Sequence, residues 1–339
     1  MPLPTPEPIA ERHGLDPRAL PDEVLQSPRP LVLRGLVADW PVARAGARGA
    51  QAAIDYLRGF DRGAQVVAQA GPPQTGGRLF YNEAFDGFNF RPQKVSFGAV
   101  LDTLQRHLDH DAPPALYLGS TTLDTYLPGF RDANPLDLDG QAQILASIWI
   151  GNRTRIAAHQ DLPDNLACVV AGRRRFTLFP PDQLANLYIG PLDLTPAGQA
   201  ISLVDFHAPD LQRFPRFAEA MAHAQVAELG PGDALMIPSL WWHHIEALEA
   251  FNVLVNYWWR ATPAYMDTPM NALMLALMTV RDLPPHQRRI WQDVFRHYVF
   301  EPDETTAAHI PAHARGVLAP LDEPRARALR ARLLQRLNR

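Results

Sequence analysis

Two short stretches carry the residue types that hold metal ions. His159-Gln160-Asp161 sets an imidazole and a carboxylate two positions apart, and far along the chain Ser239-Leu240-Trp241-Trp242-His243-His244-Ile245 adds two adjacent imidazoles. Side chains repeat every second residue along a strand, so His159 and Asp161 share a face and can grip one ion together. The third ligand must arrive on another strand, and the long separation suits a neighbouring strand of an antiparallel barrel. His243 and His244 point to opposite faces of such a strand, so one of them joins the site and the other does not; spacing alone does not choose. Two imidazoles and one carboxylate on one side of a metal, with its other positions open, suit non-haem Fe(II) that binds a co-substrate and dioxygen. The chemistry to expect is oxygenation.

The elements that must position these residues are mostly strands. Apolar runs bounded by glycine or proline predict strands over 30–34, 65–69, 78–81, 115–118, 144–150, 234–238 and 251–259. Residues 165–170 and 174–179 flank Ala171-Gly172 and read as a hairpin. In 251–259, Asn252, Leu254, Asn256 and Trp258 fall on one face, and in 174–179 Arg174 falls with Phe176 and Leu178. Helices are expected over 51–58 and 95–107. Residues 192–217 are rich in proline and aspartate without periodicity, and a loop of this length in a compact domain is functional or mobile. After Pro263 the character turns helical, over 270–281, 285–300 and 325–339. The expected organisation is therefore a β domain over 1–262 and a helical extension over 263–339.

Composition narrows the class. With 339 residues, 47% of them apolar, the chain can bury a large core. A net charge of −4 gives no general attraction to nucleic acid or to an anionic membrane, so no nucleic-acid or membrane partner is expected. Six arginines lie in 325–339, but without interleaved aromatics they read as a solvated helix face or a subunit contact. Cys168 is the single cysteine, which excludes an internal disulfide and a cysteine-rich zinc site and fits a reducing, cytoplasmic setting; as a structural residue it fills a small gap in the core. The first sixteen residues lack the basic start and apolar run of a signal peptide, and no stretch has the length of a membrane span.

An ordered set of motifs points to a family. Trp149-Ile-Gly151, His159-Gln-Asp161, Asn165, the run from Gly172 to Pro181, Pro231-Gly-Asp, Trp241-Trp-His-His244 and Val255-Asn-Tyr-Trp258 resemble the cupin-like JmjC hydroxylases, in particular the asparaginyl hydroxylases that act on hypoxia-inducible factor. The resemblance implies a double-stranded β-helix, the jelly-roll fold of the cupins, and hydroxylation with Fe(II), dioxygen and 2-oxoglutarate. It selects His159, Asp161 and His243 as iron ligands and catalytic centre, with His244 left behind them in a supporting layer or in packing. Arg174 stands where the relatives have a lysine that holds the far carboxylate of 2-oxoglutarate, and the guanidinium fork suits that role. Tyr117 matches a tyrosine on the same carboxylate, and Asn165 and Asn256 match polar residues near co-substrate and iron. Ile156 replaces a threonine that contacts 2-oxoglutarate, and Gln160 replaces a tyrosine. The resemblance also implies a protein or peptide substrate, beside which a small molecule stays open, and a homodimer built through the C-terminal helices.

Plainer readings exist for each residue. Arg174 could pair with a core carboxylate, and the tryptophans of 241–242 and 258–259 could be ordinary core. For the whole chain the rivals are a metal-dependent cupin enzyme that does not use 2-oxoglutarate, a catalytically silent binding module, and a demethylase acting on an N-methyl carbon.

Overall fold

The computed structural model describes residues 3–138 and 140–338. It divides into two compact units, 1–261 and 262–339. The first unit opens with β1 (Glu7–Pro8), β2 (Glu11–His13), β3 (Leu31–Arg34), β4 (Gln65–Gly71), β5 (Arg78–Leu79) and β6 (Arg91–Ser96). The middle of the chain adds β7 (Ala115–Thr122), β8 (Leu145–Gly151), β9 (Arg155–His159), β10 (Asp164–Ala171) and β11 (Arg174–Phe179). The last strands are β12 (Gln225–Leu229), β13 (Ala234–Ile237), β14 (Trp242–Ala247) and β15 (Asn252–Trp259).

These strands form two sheets of a cupin-type jelly roll. One has six strands in the order β1-β12-β11-β14-β9-β5, the other nine in the order β2-β3-β13-β10-β15-β8-β7-β4-β6. Strand alternation decides which residues meet between them. Ala167, Val169, Leu235, Ile237 and Leu254 of the larger sheet pack with Phe176, Leu178, Ala227 and Leu229 of the smaller in one buried cluster. The intervening residues of β10 and β15, including Leu166, Cys168, Val170, Val253 and Val255, face outward beneath helices and join a second cluster with Val42, Ile54 and Leu101. Cys168 is thus the buried core residue its surroundings require. Helix Pro41–Arg48 approaches β10 so closely that a Cβ at Gly46 would overlap the main-chain carbonyl of Val170.

The hairpin expected around Ala171-Gly172 is not formed. β10 pairs with β13 and β15, whereas β11 pairs with β12 and β14 in the other sheet. The link crosses the sandwich instead of reversing within a sheet. Gly172 makes the crossing possible, because its φ of +69° is left-handed and a Cβ there would overlap the Phe251 carbonyl and the Asn252 carboxamide. Periodicity locates two adjacent strands but cannot say whether they pair with each other.

The second unit carries helices Pro269–Thr279, Pro285–Phe295 and Glu323–Leu337, with a π-helical turn over Arg296–Phe300. Of the expected helix over 325–339, Arg339 lies outside the described residues. Met270, Leu273, Met274 and Met278 of the first helix are exposed within this chain. Among the described residues no helix is long and apolar enough to cross a membrane.

Candidate metal and co-substrate site

β9 and β14 are antiparallel neighbours, and their register sets His159 directly opposite His243. The two rings lie 4.2 Å apart between centroids. β9 ends at His159, so Asp161 is not on the strand as expected but two residues beyond its end. Other bonds replace the missing ladder. The Leu240 amide donates to the Asp161 carbonyl at 2.8 Å, and the Ser239 hydroxyl donates to the Leu162 carbonyl at 2.6 Å. Leu240 itself takes a φ of +65°, turning the chain into β14 just ahead of His243. His159, Asp161 and His243 consequently bring one ligand atom each within 4.8 Å of one another.

The protonation states suit a cation. Nδ1 of His159 lies 2.9 Å from the Ala157 carbonyl and Nδ1 of His243 lies 2.9 Å from the Trp241 carbonyl, so each ring has a main-chain acceptor for its Nδ1 proton and keeps Nε2 for a metal. Burial, together with the neighbouring His243, lowers the pKa of His159 to about 4. Burial pushes Asp161 up, but His243, His159 and the Gln199 carboxamide outweigh it and hold the carboxyl below its ordinary value. A neutral imidazole and an ionised carboxylate are the forms that bind metal. His244, one residue on, turns to the opposite face, where it stacks on Phe206 at 4.2 Å and meets Glu246 Oε1 at 3.1 Å.

The triad opens into a cavity of about 380 Å³ that is also lined by Tyr117, Asn165, Arg174 and Asn256. All seven expected site residues therefore share one space. Arg174 is 2% exposed, and its guanidinium donates to the Trp149 carbonyl at 3.3 Å while its Nε has no partner. Among the described residues no carboxylate pairs with it. Its neighbours on either side do pair, Arg173 with Glu249 and Arg175 with Glu228. Burial depresses the Arg174 pKa, against the opposing influence of the neighbouring Tyr117 hydroxyl, which burial itself pushes up to about 12. A buried cation with spare donors and no anion is what an incoming carboxylate satisfies. Its strand places it at a different level from the metal: Arg174 pairs with Ala247 on β14, and Leu178 with His243.

Asn256 accepts from Trp149 Nε1 at 2.7 Å and donates to Asn165 Oδ1 at 3.3 Å, so the three strands β8, β15 and β10 are tied by side chains across the cavity wall. Ile156 lines the opposite wall, on β9 of the smaller sheet, cross-strand from Ile245. Gln160 is not among the lining residues. Of the clustered tryptophans, Trp258 lines the cavity while Trp241, Trp242 and Trp259 pack in separate apolar clusters. Gln199, Gln69 and Phe90 were not anticipated. Gln199 comes from the long loop whose length reads as functional or mobile, but nothing in its local sequence singles out that residue.

Comparison with known proteins agrees with this architecture. A family model described as a cupin-like domain matches residues 17–265. Similar proteins include lysine-specific demethylase JMJ31 of Arabidopsis thaliana, 31% identical over 140 residues that make up 40% of this chain and 25% of the relative. The tRNA wybutosine-synthesizing protein 5 of Danio rerio is 38% identical over 106 residues, 31% of this chain and 29% of the relative. Lysine-specific demethylase 8 of Xenopus tropicalis is 26% identical over 245 residues, 70% of this chain and 49% of the relative. The chain spans between a quarter and a half of these relatives' length. With the motifs, the two-sheet sandwich and a family match over most of its length in agreement, the chain belongs to the cupin-like domain family, among relatives of the JmjC type.

Proposed function

We propose that this protein is an Fe(II)- and 2-oxoglutarate-dependent oxygenase. The observation that carries this reading is Arg174, a buried arginine without a carboxylate partner among the described residues, in the same cavity as two histidines and an aspartate whose ligand atoms lie within 4.8 Å of one another. His159, Asp161 and His243 would hold the iron through Nε2 and a carboxylate oxygen; Arg174 and Tyr117 would hold the far carboxylate of 2-oxoglutarate. When bound, iron and 2-oxoglutarate together supply the oxidation of a C–H bond by dioxygen, with succinate and carbon dioxide as co-products. The chain's own contribution is orientation and exclusion of water. The main-chain carbonyls on the two Nδ1 atoms fix the imidazoles, Asn256 and Asn165 brace the wall behind the co-substrate, and Leu79, Phe90, Ile156 and Trp258 keep the reaction space apolar.

A metal-dependent cupin without 2-oxoglutarate leaves the Arg174 charge unexplained, and a silent module leaves the converging ligands unexplained. Two relatives are named lysine-specific demethylases. Among the described residues lining the cavity, however, Asp161 is the only carboxylate, so a methylated ammonium would find no free counter-charge. This favours hydroxylation of an uncharged group, on a protein side chain or a small molecule. The exposed methionines and leucine of helix Pro269–Thr279 support self-association through the C-terminal unit; a monomeric mass by light scattering would remove that part of the reading. The activity is tested by following 2-oxoglutarate under air. Iron-dependent succinate formation, absent in Asp161→Ala, is the expected result. Metal binding without any consumption of 2-oxoglutarate would move the site to other cupin chemistry.

A further inference from the structure

The two oxygens of Asp161 have different surroundings. Oδ2 is the one that faces the metal-ligating side, 3.5 Å from His243 Nε2. Oδ1 accepts a hydrogen bond from Gln199 Nε2 at 2.8 Å. A carboxylate with both oxygens free can turn and offer either or both to a cation; one oxygen engaged by an amide donor leaves the other to bind alone.

Gln199 reaches this position on a segment that spans the edge of the sheet. The Ser202 amide donates to the Ala158 carbonyl at 2.8 Å, immediately before His159. Further on, Asp205 accepts from Arg155 at 2.9 Å and Phe206 stacks on His244, both on the face of β9 and β14 away from the cavity. Pro196, Ala197 and Ile201 line the cavity on either side of Gln199. One segment therefore borders the reaction space, caps a strand beside one ligand and hydrogen-bonds another.

We propose that Gln199 is a positioning residue for the metal site: it fixes Asp161 as a one-oxygen ligand and couples that ligand to the loop around the cavity. The proposal rests on the metal reading for His159, Asp161 and His243. Because coupling is reciprocal, metal binding should order the loop as the loop orders the ligand. A molecule that displaces the loop on entering the cavity would release Asp161 Oδ1.

Co(II) is a suitable probe, because its visible bands report both binding and coordination. Titration would compare the wild-type 339-residue chain with Gln199→Met, which keeps the side-chain length without the donor, and with Asp205→Asn, which loosens the same loop without touching Asp161. Gln199→Met should bind Co(II) roughly 10- to 100-fold more weakly with altered band intensities, and Asp205→Asn, which reaches Asp161 only through the loop, should lose no more than about threefold and keep the wild-type bands. In hydrogen exchange, Co(II) should protect residues 195–204 in the wild type and not in Gln199→Met, with unchanged melting of the metal-free proteins as the folding control. Gln199→Met within about threefold of wild type, or an equal loss in Asp205→Asn, would overturn the proposal while leaving the metal reading intact. A wild type that binds no Co(II) would remove both.

Discussion

Replacing Arg174 with methionine separates a binding role from a structural one, because the two make opposite demands on the same side chain. Arg174 is 2% exposed, pairs with no carboxylate among the described residues and leaves its Nε unsatisfied. Keeping such a cation buried costs free energy in the ligand-free protein, and apolar replacement of buried charged groups is commonly neutral or stabilising. Metal-free Arg174→Met should therefore be as stable as wild type or up to about 2 kcal/mol more stable, whereas truncating an arginine in a structural ion pair costs about 3–5 kcal/mol. In the co-substrate complex the variant lacks the charge-assisted hydrogen bonds to the distal carboxylate. Their loss is worth about 2–4 kcal/mol, which raises the Kd for 2-oxoglutarate by about 30- to 700-fold. Arg174→Lys keeps a point charge without the fork and should fall between the two. The assays are calorimetric unfolding of the metal-free proteins and 2-oxoglutarate titration of the proteins loaded with redox-inert Mn(II). A variant that loses stability yet binds 2-oxoglutarate within about threefold of wild type would refute the reasoning.

Other changes test neighbouring parts of the account. Ile156 lines the cavity where the resembling hydroxylases carry a threonine, so Ile156→Thr should tighten 2-oxoglutarate by about 2- to 12-fold through one added hydrogen bond; unchanged or weaker affinity in the same titration would place residue 156 away from the co-substrate. Burial pushes the Asp205 carboxyl up, but the His207 amide and the Arg78 and Arg155 guanidinium groups outweigh it and hold its pKa below the ordinary value. A carboxyl lowered in the folded state stabilises above the unfolded pKa of about 4 and loses that contribution as pH falls through its folded pKa, so the stability gap between wild type and Asp205→Asn should narrow below pH ~4; a constant gap would contradict this. Gly46→Ala must push a Cβ into the Val170 carbonyl of β10 and should cost about 3 kcal/mol in urea unfolding, against no loss if the helix can simply shift.

Much of the site was legible because it rests on alternation. The residues that line the cavity from β15, namely Leu254, Asn256 and Trp258, fall on the face that a period of two assigns them, and Arg174 separates from Arg173 and Arg175 in the same way. What escaped depends on tertiary approach. Whether β10 and β11 pair with each other is decided by distant strands, since β13 and β15 flank β10 while β12 and β14 flank β11, and a left-handed Gly172 suits a sheet crossing and a hairpin alike. β1 and β2, of two and three residues, are too short to show any period. Asp161 converges on the histidines although it has left its strand, because the Leu240 amide holds its backbone. Gln199 meets Asp161 across 38 positions through a loop with no repeating pattern.

The central claim is that one cavity takes iron at His159, Asp161 and His243 and 2-oxoglutarate between the iron and Arg174. Its most direct test is anaerobic addition of Fe(II) and 2-oxoglutarate to the 339-residue chain, followed by visible absorption for the weak charge-transfer band of the chelated pair. The band should appear with both components, vanish in His159→Ala, and require far more 2-oxoglutarate in Arg174→Met. Iron bound without any band would contradict the 2-oxoglutarate assignment, and no iron bound at all would contradict the site.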